Sequence, residues 1–206
     1  MRSFSKAAFL LVITASFCAT GCSDFFVSGD TIDHITLTPI SVFLKVTETK
    51  QFAASAVNVD GTQNDISGSA TWNVGSTTIA TTNNTGLITA VAPGTTTVVA
   101  SQGGVNGMAN VVVGAQSLNT TIAITPNNPS IAANQTTQLT ATGVLGDNST
   151  TPLTNFVLWT SDNTTNVSVN ATGVVTGLVS GQTAHITATI ATATGAATGT
   201  VTVTVQ

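Results

Sequence analysis

The sequence predicts an all-β protein, arranged as two tandem β-sandwiches behind an amino-terminal signal segment. Three observations predict it. Thr, Val, Ala, Asn, Ser and Gly dominate the 206 residues, and charged residues make up only 6%. β-branched Thr and Val favour pleated, half-buried strands. Short alternating runs are separated by turn residues at roughly 8–12-residue intervals, the rhythm of a sandwich. A set of landmarks then recurs at an offset of about 87 residues, which marks an internal repeat. After residue 22 no window carries a sustained apolar stripe of period 3.6, so helix is not expected.

The first 21 residues read as an export leader. Arg2 and Lys6 form a positive start, and Ala7 to Phe17 an apolar stretch of about 11 residues, where a bilayer span takes roughly 20. Ala19-Thr20-Gly21-Cys22 resembles a bacterial lipobox, with Ala19 where Leu is usual. That resemblance implies cleavage before Cys22 and a thioether-linked diacylglycerol on its sulfur. The alternative is an ordinary leader cleaved after Ala19 or Gly21, with Cys22 a bystander. Cys18 lies inside the leader, so cleavage before Cys22 leaves one Cys and no internal disulfide. More than one acyl chain makes membrane attachment stable. Residues 22–33 read as a tether carrying Phe25 and Phe26, at the lipid interface or packed on the first repeat. Ser23 resembles the outer-membrane sorting choice.

Charge excludes one class of partner. Beyond the leader only Lys45 and Lys50 are basic, against eight acidic residues. Nucleic-acid binding needs clustered Lys and Arg to displace counterions, and none is present. Attraction of the protein's own charge to an anionic membrane is excluded for the same reason.

The first repeat spans 34–114, a linker 115–121 and the second repeat 122–206. In the first, strands are expected at Ile35–Thr38, Val42–Val46, Gln51–Asn58, Ala70–Val74, Ile79–Thr82, Leu87–Ala90, Thr96–Gln102 and Met108–Val113. Turns are expected at Asp60-Gly61, Ser67-Gly68, Asn83 to Gly86, Pro93-Gly94 and Gly103-Gly104. In the second repeat Ile122 to Pro126 echoes Ile35 to Pro39. Gln138-Leu139 echoes Gln51-Phe52, Trp159 echoes Trp72, and Thr172-Gly173 echoes Thr85-Gly86. Alternation assigns Phe52 and Leu139 to the cores, with Trp72 and Trp159 bridging the sheets of each sandwich. Gly86 and Gly173 are expected at positive φ. Ser180-Gly181 stands in place of Pro93-Gly94, and Gly146-Asp147 reads as Asp60-Gly61 reversed. The short linker sets the two sandwiches end to end with limited bending.

The first repeat resembles the bacterial immunoglobulin-like group 2 family. The likeness rests on Ile35–Pro39, Gln51 to Ala54, Asp60-Gly61, Ala70-Thr71-Trp72, Ile79-Ala80 and the run from Gly86 to Ala100. It implies an immunoglobulin-like sandwich and a role as spacer or binding arm.

Catalytic chemistry is not visible. His34 and His185 fall at non-equivalent places and read as surface side chains. No zinc-ligand cluster, catalytic triad or phosphate loop is found, so no metal and no cofactor is expected. Asp60 and Asp65 flank one loop and raise a weak calcium site, against which stands ordinary Asp turn chemistry. Asn-x-Ser/Thr triplets, such as those at Asn83, Asn119, Asn148 and Asn170, follow from composition. The expectation is a non-catalytic, surface-displayed lipoprotein of the cell envelope with a structural, spacer or adhesive role, and with an envelope protein or glycan as partner. The alternative is a carbohydrate-binding accessory module. Phe25, Phe26, Phe43 and Phe156 are its candidate platforms.

Overall fold

The computed structural model describes residues 31–206. The leader, Cys22, Phe25 and Phe26 lie outside the described residues. Those residues form twenty strands and no helix. The first repeat holds β1 (Ile32–Thr38), β2 (Ser41–Lys45), β3 (Thr49–Gln51), β4 (Ala53–Asn58), β5 (Gln63–Asp65), β6 (Thr71–Val74), β7 (Ala80–Thr82), β8 (Leu87–Ala90), β9 (Gly94–Gln102) and β10 (Val105–Gly114). The second holds β11 (Leu118–Thr125), β12 (Ser130–Ile131), β13 (Thr136–Gln138), β14 (Thr140–Leu145), β15 (Thr150–Pro152), β16 (Leu158–Ser161), β17 (Val167–Val169), β18 (Val174–Gly177), β19 (Thr183–Thr192) and β20 (Ala196–Val205).

Each repeat closes its core in the same way. Phe52 and Leu139 are fully buried, and Trp72 and Trp159 nearly so. The Trp72 indole N–H donates to the Ser67 carbonyl at 2.9 Å, and that of Trp159 to Thr154 at 3.0 Å. A large ring is thereby buried with its polar edge satisfied. Beside each ring sits a glycine at positive φ, 80° at Gly86 and 81° at Gly173. A Cβ on Gly86 would lie 2.6 Å from the Trp72 ring, and one on Gly173 3.0 Å from that of Trp159. Conformation and space thus both require glycine here.

The turn before that glycine is wired by one side chain. Asn83 Oδ1 accepts from the Thr85 N–H and hydroxyl, both at 3.0 Å, and from the Leu87 N–H at 2.9 Å. Asn170 does the same for Thr172 and Val174. The Gln51 amide donates to the Thr85 carbonyl, and the Gln138 amide to that of Thr172. The Asn-x-Thr triplets at 83 and 170 therefore build turns.

Two expectations need correction. Gly146-Asp147 does not reverse Asp60-Gly61. Asp147 itself occupies the place of Asp60: Ser149 bonds Asp147 as Thr62 bonds Asp60. Asn148, at φ 65°, takes the left-handed place that Gly61 holds at 83°, a conformation Asn tolerates. The stretch 115–121 is also not all linker. β11 starts at Leu118, which pairs with Leu145.

The two sandwiches share one sheet, in the order β15-β14-β11-β20-β19-β2-β10-β9-β6. The seam is a parallel pairing of β19 with β2, Ala191 with Val42 and Thr192 with Phe43. The end-to-end arrangement therefore has a hydrogen-bonded joint where a plain linker was expected.

Candidate functional site at the joint between the repeats

The joint follows from alternation along β2. Val42 and Leu44 point into the first core. Ser41 and Phe43 take the opposite face, where a lone sandwich would meet water. Here the second repeat covers that face, and Phe43 and Val112 join its core. Phe43 is 2% exposed. It is therefore no surface platform, because its exposed-looking register is buried by the neighbouring repeat. Lys50 adds a polar fastener, donating from Nζ to the Thr192 carbonyl at 2.8 Å.

A polar row crosses the same face. Ser41 pairs with Asn110, and Asn110 with Thr97, so their side chains stand side by side on neighbouring strands. The Gly75 N–H donates to the Thr97 carbonyl at 2.9 Å and extends the row to the sheet edge. Ser41 is 5% exposed, and its hydroxyl is buried without a hydrogen-bond partner. Asn110, Thr97 and Gly75 line an open cleft of about 330 Å³, together with Ser76, the adjoining β9 threonines and Phe156. Phe156, half-buried, comes from the second repeat, so the cleft needs both. On the other side of the joint, Pro39, Ile40, Leu158 and Ala191 line a more apolar cleft of about 260 Å³, which Ser41 also borders.

The second repeat carries different side chains at the places that match the cleft. Its counterparts of Gly75 and Thr97 are Asp162 and His185, identified by the same backbone bond, from the Asp162 N–H to the His185 carbonyl at 3.1 Å. The Asp162 carboxylate accepts from the His185 N–H at 2.8 Å and meets His185 Nδ1 at 2.8 Å. That backbone N–H, then the ring, holds the Asp162 carboxyl below its ordinary range. The pair puts two exposed, polar side chains where the first repeat has Gly75 and Thr97. Phe156 is equally particular to its repeat, since Ser69 stands at the matching place three residues before Trp72.

The remaining sequence candidates are surface groups. His34 meets only its neighbour Asp33, at 2.8 Å and exposed. Asp60 and Asp65 are each engaged within their own turn. Asp60 is taken by the hydroxyl and N–H of Thr62, and Asp65 by those of Ser67. The hydroxyl in each case, then the N–H, lowers the carboxyl's pKa. Among the described residues no three His, Cys, Asp or Glu side chains gather as a metal site would require. Sequence reasoning placed Phe156 among possible platforms but missed its partners Thr97, Asn110 and Gly75. Only the failure of the repeat symmetry at Gly75/Asp162 and Ser69/Phe156 could have signalled them.

Several known proteins resemble this chain. Ice-binding protein 1 of Shewanella frigidimarina (strain NCIMB 400) is 35% identical over 160 residues, covering 78% of this chain. The chain spans 18% of that protein's length. Domains 5-6 of the S-layer protein SbsC align at 23% identity and a TM-score of 0.38, over 84% of this chain and 98% of that one. Domains 1-6 of SbsC align at 22% identity and a TM-score of 0.36, over 86% of this chain and 28% of that one. The bacterial Ig-like domain (group 2) pattern matches residues 31–113 and again 119–201. With both repeats matched, the chain belongs to the bacterial Ig-like domain (group 2) family.

Proposed function

We propose that the chain is a non-catalytic envelope lipoprotein whose repeats form a stiff arm, held at the membrane by lipidated Cys22 and serving as spacer or adhesin. The observation that carries the arm is the β2–β19 pairing, reinforced by Phe43 and Lys50. A spacer must hold its far end at a set distance, and a continuous sheet does this better than a flexible linker. The anchor rests on the leader and the run Ala19-Thr20-Gly21-Cys22. The sorting choice at Ser23 favours the outer membrane.

The anchor is tested by growing cells that express the full chain with radiolabelled palmitate. Label should enter the protein and vanish in Cys22→Ser, which should then leave the membrane fraction. An unlabelled wild type, recovered as soluble periplasmic protein, would sink the anchored version.

A further inference from the structure

We infer that the cleft between the repeats is a binding site for a short, uncharged saccharide, with Phe156 as its platform. The inference does not depend on the lipid anchor, because the cleft is complete within the two repeats. Four features of the cleft define the ligand's chemistry.

The first is the pairing of one aromatic ring with hydroxyl and amide groups. Phe156 faces Thr97, Asn110 and Ser76 across an open space of about 330 Å³. That is the lower end of ordinary ligand sites, roughly 300–1,000 Å³. A sugar ring presents C–H groups on its face and hydroxyls around its rim. It can stack its face on Phe156 while its rim reaches the polar row.

The second is charge. No Lys, Arg, Asp or Glu lines the cleft. An anionic ligand would find no counter-charge there, and a cation no carboxylate. Lys50, one of two lysines beyond the leader, is committed to the Thr192 carbonyl.

The third is Ser41. Its hydroxyl is buried and unpartnered at the inner end of the row formed with Asn110 and Thr97. A buried polar group without a partner costs stability unless something completes it. Ser41 neighbours Asn110 but lines the apolar cleft across the joint, not this one, so it marks the inner limit of the polar row that a ligand would meet.

The fourth is the broken symmetry. The floor is open because position 75 is Gly. A Cβ there would lie 3.0 Å from the Thr97 hydroxyl and 3.3 Å from that of Thr96. The other repeat has the exposed Asp162–His185 pair at the equivalent place. The Thr96 hydroxyl meanwhile accepts from the Ser76 N–H at 2.9 Å, which sets the turn bordering the cleft.

The test uses the purified full chain on an array of short neutral oligosaccharides (glucans, mannans, galactans, xylans) beside acidic ones such as pectin and alginate fragments. Titration calorimetry then follows the strongest neutral ligand. Wild type should bind a neutral oligosaccharide. Phe156→Ala should weaken it about tenfold, equivalent to about 1.4 kcal/mol, and Phe156→Trp should keep it. Thr97→Val, which leaves the ring in place, should weaken it several-fold. Gly75→Asp, which gives this position the residue that the other repeat has there and crowds the Thr97 hydroxyl, should abolish it. Should Phe156→Ala fail to fold, Thr97→Val and Gly75→Asp decide. The proposal is overturned if folded wild type binds no neutral oligosaccharide, if it prefers the acidic ones, or if binding survives both Thr97→Val and Gly75→Asp.

Discussion

Lys50 and Thr192 lie 142 positions apart in the chain, yet the ammonium of one donates to the carbonyl of the other at 2.8 Å. The same ammonium also reaches the Ala193 carbonyl at 3.4 Å. This contact locks the tip of the β19–β20 hairpin onto the first repeat, beside the seam. A charged donor to a carbonyl is worth about 1.5–3 kcal/mol when its partner is left buried. Lys50→Met keeps the aliphatic stem and removes the donor. It should cost about 1–2 kcal/mol and speed cleavage between Gly114 and Leu118 in limited proteolysis. Unchanged cleavage would show that the strand pairing alone holds the joint.

The glycines at positive φ separate two costs. Gly86, at φ 80°, has the Trp72 ring 2.6 Å from where a Cβ would be. Gly61, at φ 83°, has nothing within 4 Å. Gly61→Ala should therefore cost only the backbone penalty, about 1 kcal/mol. Gly86→Ala adds overpacking and should cost about 2–4 kcal/mol. Equilibrium urea unfolding measures both, and equal losses would refute the packing argument.

The indole hydrogen bonds can be probed in the same way. Trp72→Phe keeps an aromatic ring but strands the Ser67 carbonyl, and Trp159→Phe strands that of Thr154. Each should cost about 1–3 kcal/mol for the lost partner, with a further loss from the smaller ring. Complete truncation, Trp72→Ala, should cost about 3–5 kcal/mol. A Trp72→Ala protein melting at the wild-type temperature would refute the core assignment.

Ser41 should behave in the opposite sense. Its hydroxyl is buried without a partner, so Ser41→Ala removes a desolvated group and only one oxygen. The free protein should be as stable as wild type or more so, by up to about 1 kcal/mol. A clear loss in urea unfolding would mean that the hydroxyl is satisfied in solution.

Acid should weaken the fold through its turns. Asp60, Asp65, Asp147 and Asp162 all hold their carboxyls below the ordinary value of 3.8. The folded state thus binds protons less readily than the unfolded one. Stability from these groups is complete above the unfolded value and is lost as pH falls through the folded ones. Unfolding free energy should be flat near neutrality and decline from about pH 5 downward. Asp147→Asn, which removes the titrating group while sparing the turn shape, should make that decline shallower. An identical acid profile in the variant would remove Asp147 from the explanation.

The fold was legible because its signals are local. Alternation placed Phe52, Leu139 and both tryptophans inside, and tight turns announced Gly86 and Gly173. The turn around Asp147 was misread, because Gly marks a left-handed residue more loudly than Asn148 does. Phe43 was unreadable from one repeat. Its side chain points away from its own core, and only the neighbouring sandwich buries it. The cleft was legible only in part for the same reason. Thr97 and Asn110 look like any solvated sheet residues until Phe156, about 50 positions away, is set against them by a seam that no local pattern encodes.

Both repeats pair an early strand in parallel with their last one, β2 with β10 and β12 with β20. The early strand leads back toward the amino terminus, and the last leads on toward the carboxyl terminus. Tension between the two ends of the arm would draw each pair along its length in opposite directions. Parallel strands loaded in this way must break their bonds together, whereas peeled strands break them one by one. Five register pairs join β2 to β10, but only two join β12 to β20. The first repeat is therefore the mechanical clamp, and the second should yield first. Single-molecule pulling would show two rupture forces, the lower one releasing the contour length of the second repeat.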